Sequence, residues 1–62
     1  MTKAKDVKAG FKTEWWTAER DAVTFWNPDT RKQETVIAIK YNDGGNGKRV
    51  FDPEQYVGTG SL

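Results

Sequence analysis

The chain has 62 residues, and its ten basic and nine acidic side chains give a formal net charge of +1. This length allows one domain, and this charge excludes a strongly basic nucleic-acid neutraliser and an acidic mimic of DNA. His and Cys are missing and Ser61 is the only serine, which excludes disulfides, thiolate metal sites and nucleophiles activated by histidine.

A domain of this size also leaves little room for a substrate pocket of about 300 Å³, so we expect neither enzymatic activity nor a cofactor. The segment 42–47 (NDGGNG) has some likeness to a calcium loop, but it lacks the alternating acids and the closing Glu, so we expect no metal. The sequence has no apolar run of about eighteen residues and no signal-peptide core. We therefore expect a cytoplasmic protein without membrane contact.

The apolar composition favours strands over helices. Leu and Met each occur once, at Leu62 and Met1, whereas Val, Ile, Phe, Trp, Tyr and seven Thr supply the large side chains. β-Branched and aromatic side chains fit a pleated surface, and good helix formers are scarce here. The composition therefore predicts an all-β domain with a small core.

The first half of the chain reads as a basic arm followed by two strands. Residues 1–10 carry three lysines against one acid and end at a glycine, so we expect a flexible basic arm. Residues 11–17 (FKTEWWT) alternate as a first strand, and the polar residues 18–21 form either a hairpin turn or a helical turn. Residues 22–26 (AVTFW) alternate again, and Asn and Pro in 27–30 (NPDT) favour a type I turn.

The second half predicts a hairpin and a helical turn. Residues 34–41 (ETVIAIKY) form the clearest strand, with Thr35, Ile37, Ile39 and Tyr41 on one face and Val36, Ala38 and Lys40 on the other. The Gly- and Asn-rich segment 42–47 suits a tight reversal, and 48–51 returns as a strand. Asp, Pro and Gln in 52–55 predict a short helical turn, after which Tyr56 and Val57 fold back on the domain and 58–62 form a flexible tail.

Together these elements predict one domain over residues 11–57, a small SH3-like or OB-like barrel. It would have four to five antiparallel strands and a short C-terminal helical turn. An open sheet of three or four strands that dimerises is the alternative. The segment 37–49 (IAIKYNDGGNGKR) resembles the central Gly-rich hairpin of the small SH3-like chromatin proteins of thermophilic archaea. This resemblance spans thirteen residues and implies an SH3-like fold, without assigning DNA binding.

The adjacent Trp15 and Trp16 are the most informative residues, because an extended backbone sends neighbouring side chains to opposite faces. By alternation, Trp15 points inward with Phe11, Val23, Phe25, Ile37 and Ile39. Trp16 then points outward, on the face that also carries Trp26, Lys12 and Lys40. Outward indoles among lysines suit base stacking and phosphate contact. The alternatives are that Trp16 and Trp26 cover the second face of a closed barrel, or that they form a protein interface.

The charges are uneven along the chain, with sums of +3 for residues 1–12, −3 for 13–30, +3 for 31–49 and −2 for 50–62. We therefore expect a non-enzymatic nucleic-acid-binding module with a basic band across the strands. The alternative is a protein-interaction module, of an accessory, inhibitory or virion type, that forms a homo-oligomer or docks on a larger partner. The candidate binding residues are Trp16, Trp26, Lys12, Arg31, Lys32, Lys40, Lys48 and Arg49.

Overall fold

The computed structural model describes residues 1–58, and within them the all-β class is confirmed. Two antiparallel sheets are present, one of two strands and one of four, and residues 1–58 include no helix with the length and apolar character needed to cross a bilayer. A single 3₁₀ turn covers Ala4–Asp6. The strands are β1 (Thr2–Lys3), β2 (Trp16–Ala18), β3 (Val23–Asn27), β4 (Lys32–Tyr41), β5 (Asn46–Phe51) and β6 (Tyr56–Gly58).

The long strand β4 is the centre of the larger sheet. Residues 39 and 40 pair with both β2 and β5, and residues 35 and 36 pair with both β3 and β5. A residue has one partner on each side, so β2 and β3 follow one another along one edge of β4, and β5 lies along the other. The polar break at residues 19–22 interrupts that first edge.

The two faces of β4 are as predicted. Thr35, Ile37 and Ile39 are fully buried, whereas the residues between them are only half-buried. The face that carries the buried residues is called the inner face here, and the opposite one the outer face. Six apolar side chains are buried within residues 1–58, namely Ala4, Val7, Trp16, Ala18, Ile37 and Ile39.

The N-terminal segment differs from the expected basic arm. Strand β1 pairs with β6, and the Ala4 amide donates to the Gln55 carbonyl at 2.8 Å. Ala4 and Val7 are fully buried against the inner face. The three lysines of this segment suggested a solvated arm, but the 3₁₀ turn buries Ala4, and Val7 directly after the turn is buried as well.

The C-terminal part and the closure of the sheets also differ from expectation. Residues 52–55 form a β-turn instead of a helical turn: the Asp52 carboxylate accepts from the Glu54 amide at 2.9 Å, and the Asp52 carbonyl accepts from the Gln55 amide at 3.0 Å. Gly58 belongs to β6, and the rest of the predicted tail lies outside the described residues. The sheets are open, so the closed barrel is not formed by residues 1–58.

Candidate nucleic-acid interface

Residues 11–18 form a tight hairpin where a single strand was predicted. The Thr13 amide donates to the Trp16 carbonyl and the Ala18 amide donates to the Phe11 carbonyl, both at 2.8 Å. The hydroxyl oxygen of Thr13 accepts the amides of the next two tryptophans at 3.2 Å each. A threonine hydroxyl stabilises a turn in this way, because it offers the backbone a local alternative to the strand ladder.

This hairpin reverses the predicted placement of the two neighbouring indoles. Trp16 is 4% exposed and packs between Phe11 and Phe51, with ring centroids 6.1 and 6.3 Å away. Trp15 is 68% exposed at the tip of the turn. The two indoles do point in opposite directions, as expected, but the turn buries Trp16 and exposes Trp15, the reverse of the prediction. The prediction of Trp16 as an exposed binding residue is therefore wrong.

The register of β3 likewise reverses the predicted placement of its apolar residues. The turn of residues 28–31 pairs odd residues of β3 with even residues of β4, so that Val23 lies opposite Val36 and Phe25 opposite Glu34. Directly opposed residues share a face, so Val23 and Phe25 lie on the outer face, where both are exposed. The expectation that they pack in the core is wrong.

Trp26 is exposed, but it does not join the lysines. It pairs with Gln33 on the inner-face side and is 56% exposed at the end of the hairpin, beyond the buried core. Trp16 lies eight residues further along β4, which corresponds to about 27 Å. The predicted face that combines both indoles with Lys12 and Lys40 is therefore not formed.

Three of the predicted lysines do share one exposed surface, which we call the lysine face. Lys40 pairs with Thr17 on one side and Asn46 on the other, and Thr17 bridges to Lys12. Opposed residues share a face, so Lys12 and Lys40 lie together on the outer face. Lys48 lies opposite Ala38, also on the outer face and diagonal to Lys40. The lysine face consists of Lys12, Lys40 and Lys48.

The middle of the outer face is apolar, and Glu34 lies on the same face opposite Phe25. Val23, Val36 and Val50 are paired in one row across three strands, and Phe25 lies beside them. Val23 and Val50 are each more than half exposed. We call this set of four residues the valine row. An exposed row of this kind on a small protein is typical of an interaction surface.

The other predicted basic residues are spread over the molecule. Arg31 lies in the β3–β4 turn with a φ of 57°, and Lys32 begins β4 beside it. Arg49 pairs with Ile37 on the inner-face side, with its guanidinium 5.3 Å from the centroid of the Phe51 ring. Lys32 lies on the outer face opposite Asn27, but eight residues of β4 (about 27 Å) separate it from Lys40. These three residues are therefore not part of the lysine face.

A groove lies where the 13–16 turn meets the β4–β5 loop. It has a volume of about 450 Å³. Asn42 joins the two segments, because its amide donates to the Trp15 carbonyl at 3.0 Å and its side chain donates to the Glu14 carbonyl. The groove is lined by Glu14, Trp15, Trp16, Tyr41, Asn42, Asp43 and Arg49.

The ion pairs of residues 1–58 do not involve the lysine face. Lys3 and Lys5 contact the Glu54 carboxylate at 2.7 and 2.6 Å. These hydrogen bonds and charges lower the pKa of Glu54 to about 2, and Glu54 in turn raises the pKa of Lys3. Among residues 1–58, no carboxylate lies within ion-pair distance of the lysine face, and no cluster of three acids is placed to hold a metal.

Comparisons with known proteins found no relative of this chain. No family model matches it, and neither a curated protein nor a solved structure matches it. The chemistry of the surface is therefore inferred from its own residues.

Trp15 was predicted to point inward, but it is exposed and lies beside Tyr41 in the groove. A usable signal was present, because Thr13 stands two residues before the first indole, where a hydroxyl can close a turn. The alternating pattern of 11–17 hid that signal. The residues of the lysine face, in contrast, were all identified from the sequence.

Proposed function

We propose that this protein is a non-enzymatic nucleic-acid-binding module whose lysine face contacts the phosphate backbone. The observation that carries the proposal is the register that aligns Lys12, Lys40 and Lys48 on one exposed face. Lysine ammonium groups on flexible stems follow phosphates without requiring one fixed geometry.

The spacing of the lysines supports this proposal. Lys12 and Lys40 are separated by one strand, or about 10 Å, and Lys48 is a diagonal neighbour of Lys40 at about 7–8 Å. Thr17 and Asn46, between and beside them, offer a hydroxyl and an amide that donate to phosphate oxygens. The hairpin that resembles those of the SH3-like chromatin proteins carries Lys40 and Lys48, but this resemblance supports an SH3-like fold only and not nucleic-acid binding.

The valine row favours a second candidate function, a protein-interaction module. Burial of exposed apolar side chains stabilises association by about 25 cal/mol per Å² before the costs of association are subtracted. The row lies beside the lysine face, so one partner can cover both. We place nucleic acid first, because three lysines share one exposed face and no carboxylate of residues 1–58 lies within ion-pair distance of them.

The test is the salt dependence of binding. Fluorescence anisotropy of a labelled oligonucleotide is measured against the wild type and against the triple variant Lys12→Ala, Lys40→Ala, Lys48→Ala. We expect wild-type binding at low salt and a log–log salt slope that the triple variant reduces by about 2 for a single strand.

The matched control is Lys8→Ala, which removes an exposed lysine from the N-terminal segment and leaves the slope unchanged. An undetectable wild-type affinity at low salt would contradict the proposal, as would a triple variant with the wild-type slope. Light scattering on the same samples addresses the second candidate: a stable oligomer without nucleic-acid affinity favours the protein-interaction module.

A further inference from the structure

The groove at the 13–16 turn displays an indole on a rigid support. Trp15 is the most exposed of the three tryptophans. Its amide is held by the Thr13 hydroxyl at 3.2 Å, and its carbonyl accepts from the Asn42 amide at 3.0 Å. An aromatic side chain whose backbone is fixed before binding loses little conformational entropy when a flat ligand stacks on it.

The other walls of the groove suit a neutral, planar ligand with donor groups on its edge. Tyr41 adds a second aromatic side chain, and the exposed Glu14 carboxylate accepts hydrogen bonds. Glu14 and Asp43 outweigh Arg49 in charge, so the groove itself repels a phosphate. A nucleobase is uncharged, and carboxylates accept hydrogen bonds from its amino groups.

The groove lies at the same end of the sheet as Lys12 and Lys40 of the lysine face. Lys40 directly precedes Tyr41 in β4, and Trp16 pairs with Tyr41 while its neighbour Thr17 pairs with Lys40. A single-stranded nucleic acid whose phosphates lie on the outer face therefore has to cross only the end of the 11–18 hairpin to bring a base to Trp15.

We propose that this groove binds one unpaired base of a single-stranded nucleic acid, which stacks on Trp15 and donates its edge N–H groups to Glu14. This inference rests on the proposed function, because the lysine face holds the phosphates of the same strand. A stacked base inside a duplex has no free surface for the indole, so single strands are selected. Guanine presents two adjacent N–H donors to one carboxylate, whereas thymine presents one, so guanine is preferred.

The test uses nine-nucleotide DNA strands of thymidine with one central variable base. The expected order of affinity places central guanine above central thymine, and a fully paired DNA hairpin that stays folded at low salt below both. Trp15→Ala lowers the affinity for the guanine strand about 10- to 100-fold. Trp26→Ala, which removes a similarly exposed indole at the far end of the sheet, changes it less than about 2-fold.

Glu14→Ala separates base recognition from phosphate contact. It lowers the affinity for the guanine strand more than for the all-thymidine strand, because guanine loses two hydrogen bonds and thymine one, and it abolishes the preference for guanine. A urea titration of each variant shows whether its fold is retained. In a Trp26→Phe background, Trp15 is the remaining exposed indole of residues 1–58, and its fluorescence is quenched when the strand binds.

The outcomes distinguish the two proposals. Absence of binding by the wild type overturns both. Salt-dependent binding that is equal for single strand and duplex, or unaffected by Trp15→Ala, keeps the lysine face and overturns the groove. Tight capture of the groove by a peptide instead of a base, with Trp15 quenched by the peptide and unchanged by DNA, also overturns it.

Discussion

Arg31 shows how a single residue can bear conformational strain in this fold. Its φ of 57° lies in the left-handed region, and its amide donates to the Asn27 carbonyl at 2.8 Å to close the β3–β4 turn. A side chain with a Cβ is disfavoured in that region by about 1–2 kcal/mol, whereas glycine adopts it freely. The turn itself was predictable from Asn27 and Pro28, but which of its residues takes the unusual φ was not.

Arg31→Gly is therefore expected to stabilise the protein. The gain should be up to about 1 kcal/mol, because relief of strain is partly offset by the larger entropy of glycine in the unfolded chain. Urea unfolding followed by circular dichroism measures it. Arg31→Ala is the control, since it removes the charge but keeps the Cβ and should gain nothing comparable. A midpoint for Arg31→Gly at or below that of Arg31→Ala would contradict the explanation.

Long strands were predicted correctly and short elements were not, because a long strand shows its alternation of apolar and polar residues many times. Strand β4 has ten residues, so its alternation identified both of its faces. The hairpin at 11–18 has a two-residue tip, and its alternating letters fit one strand equally well. The register of β3 depended on the length of the turn at 28–31, which the face assignment by alternation did not take into account. Those two elements explain the misplaced Trp16, Val23 and Phe25.

The stability contributed by the ion pairs of Glu54, which link β1 and the 3₁₀ turn to the segment before β6, should decrease at acid pH. The pKa of Glu54 is lowered to about 2 from an ordinary value of 4.5. A lowered pKa in the folded state means that the carboxylate stabilises the fold fully above pH 4.5 and loses this contribution as the pH falls towards 2. Because both partners are solvent-exposed, salt screens the effect.

The measurement is the urea midpoint between pH 6 and pH 2 for the wild type and Glu54→Gln. The wild type should lose more stability over that interval than Glu54→Gln, and 0.5 M salt should narrow the difference. Asp29→Asn, at the exposed β3–β4 turn, serves as a control for a carboxylate without an ion pair among residues 1–58. Parallel curves for the wild type and Glu54→Gln at low salt would contradict the assignment.

The whole molecule is held together by a core that spans almost the entire described chain. Its buried apolar residues come from the N-terminal segment and the middle of the chain, since Ala4 and Val7 join Ile37 and Ile39, and the partly buried Val57 of β6 packs against them. Composition was enough to predict strands and a small core. The role of residues 1–10 was not predictable, because Ala4 and Val7 are buried only when β6 and the inner face of β4 are in place. The same is true of the groove, which two distant turns form together.

Deletion of residues 1–7 tests this view of the core. It removes two of the six buried apolar side chains and the partner of β6, so we expect the cooperative thermal transition to be lost. Differential scanning calorimetry measures it. Replacement of Lys3, Lys5 and Lys8 by Gln keeps the length and the buried residues, and should preserve a transition. A truncated protein with the wild-type melting temperature would show that the segment is dispensable.

The antiparallel pairing of β1 with β6 also determines how the molecule responds to force. Thr2 lies opposite Gly58, so the two strands enter and leave the domain at the same side. Tension applied through the two ends pulls this pair apart sideways, and its hydrogen bonds break one after another instead of sharing the load. Ala4 and Val7 then leave the core before β4 loses a neighbour, so within residues 1–58 the pairing of β1 with β6 is the mechanically weakest point.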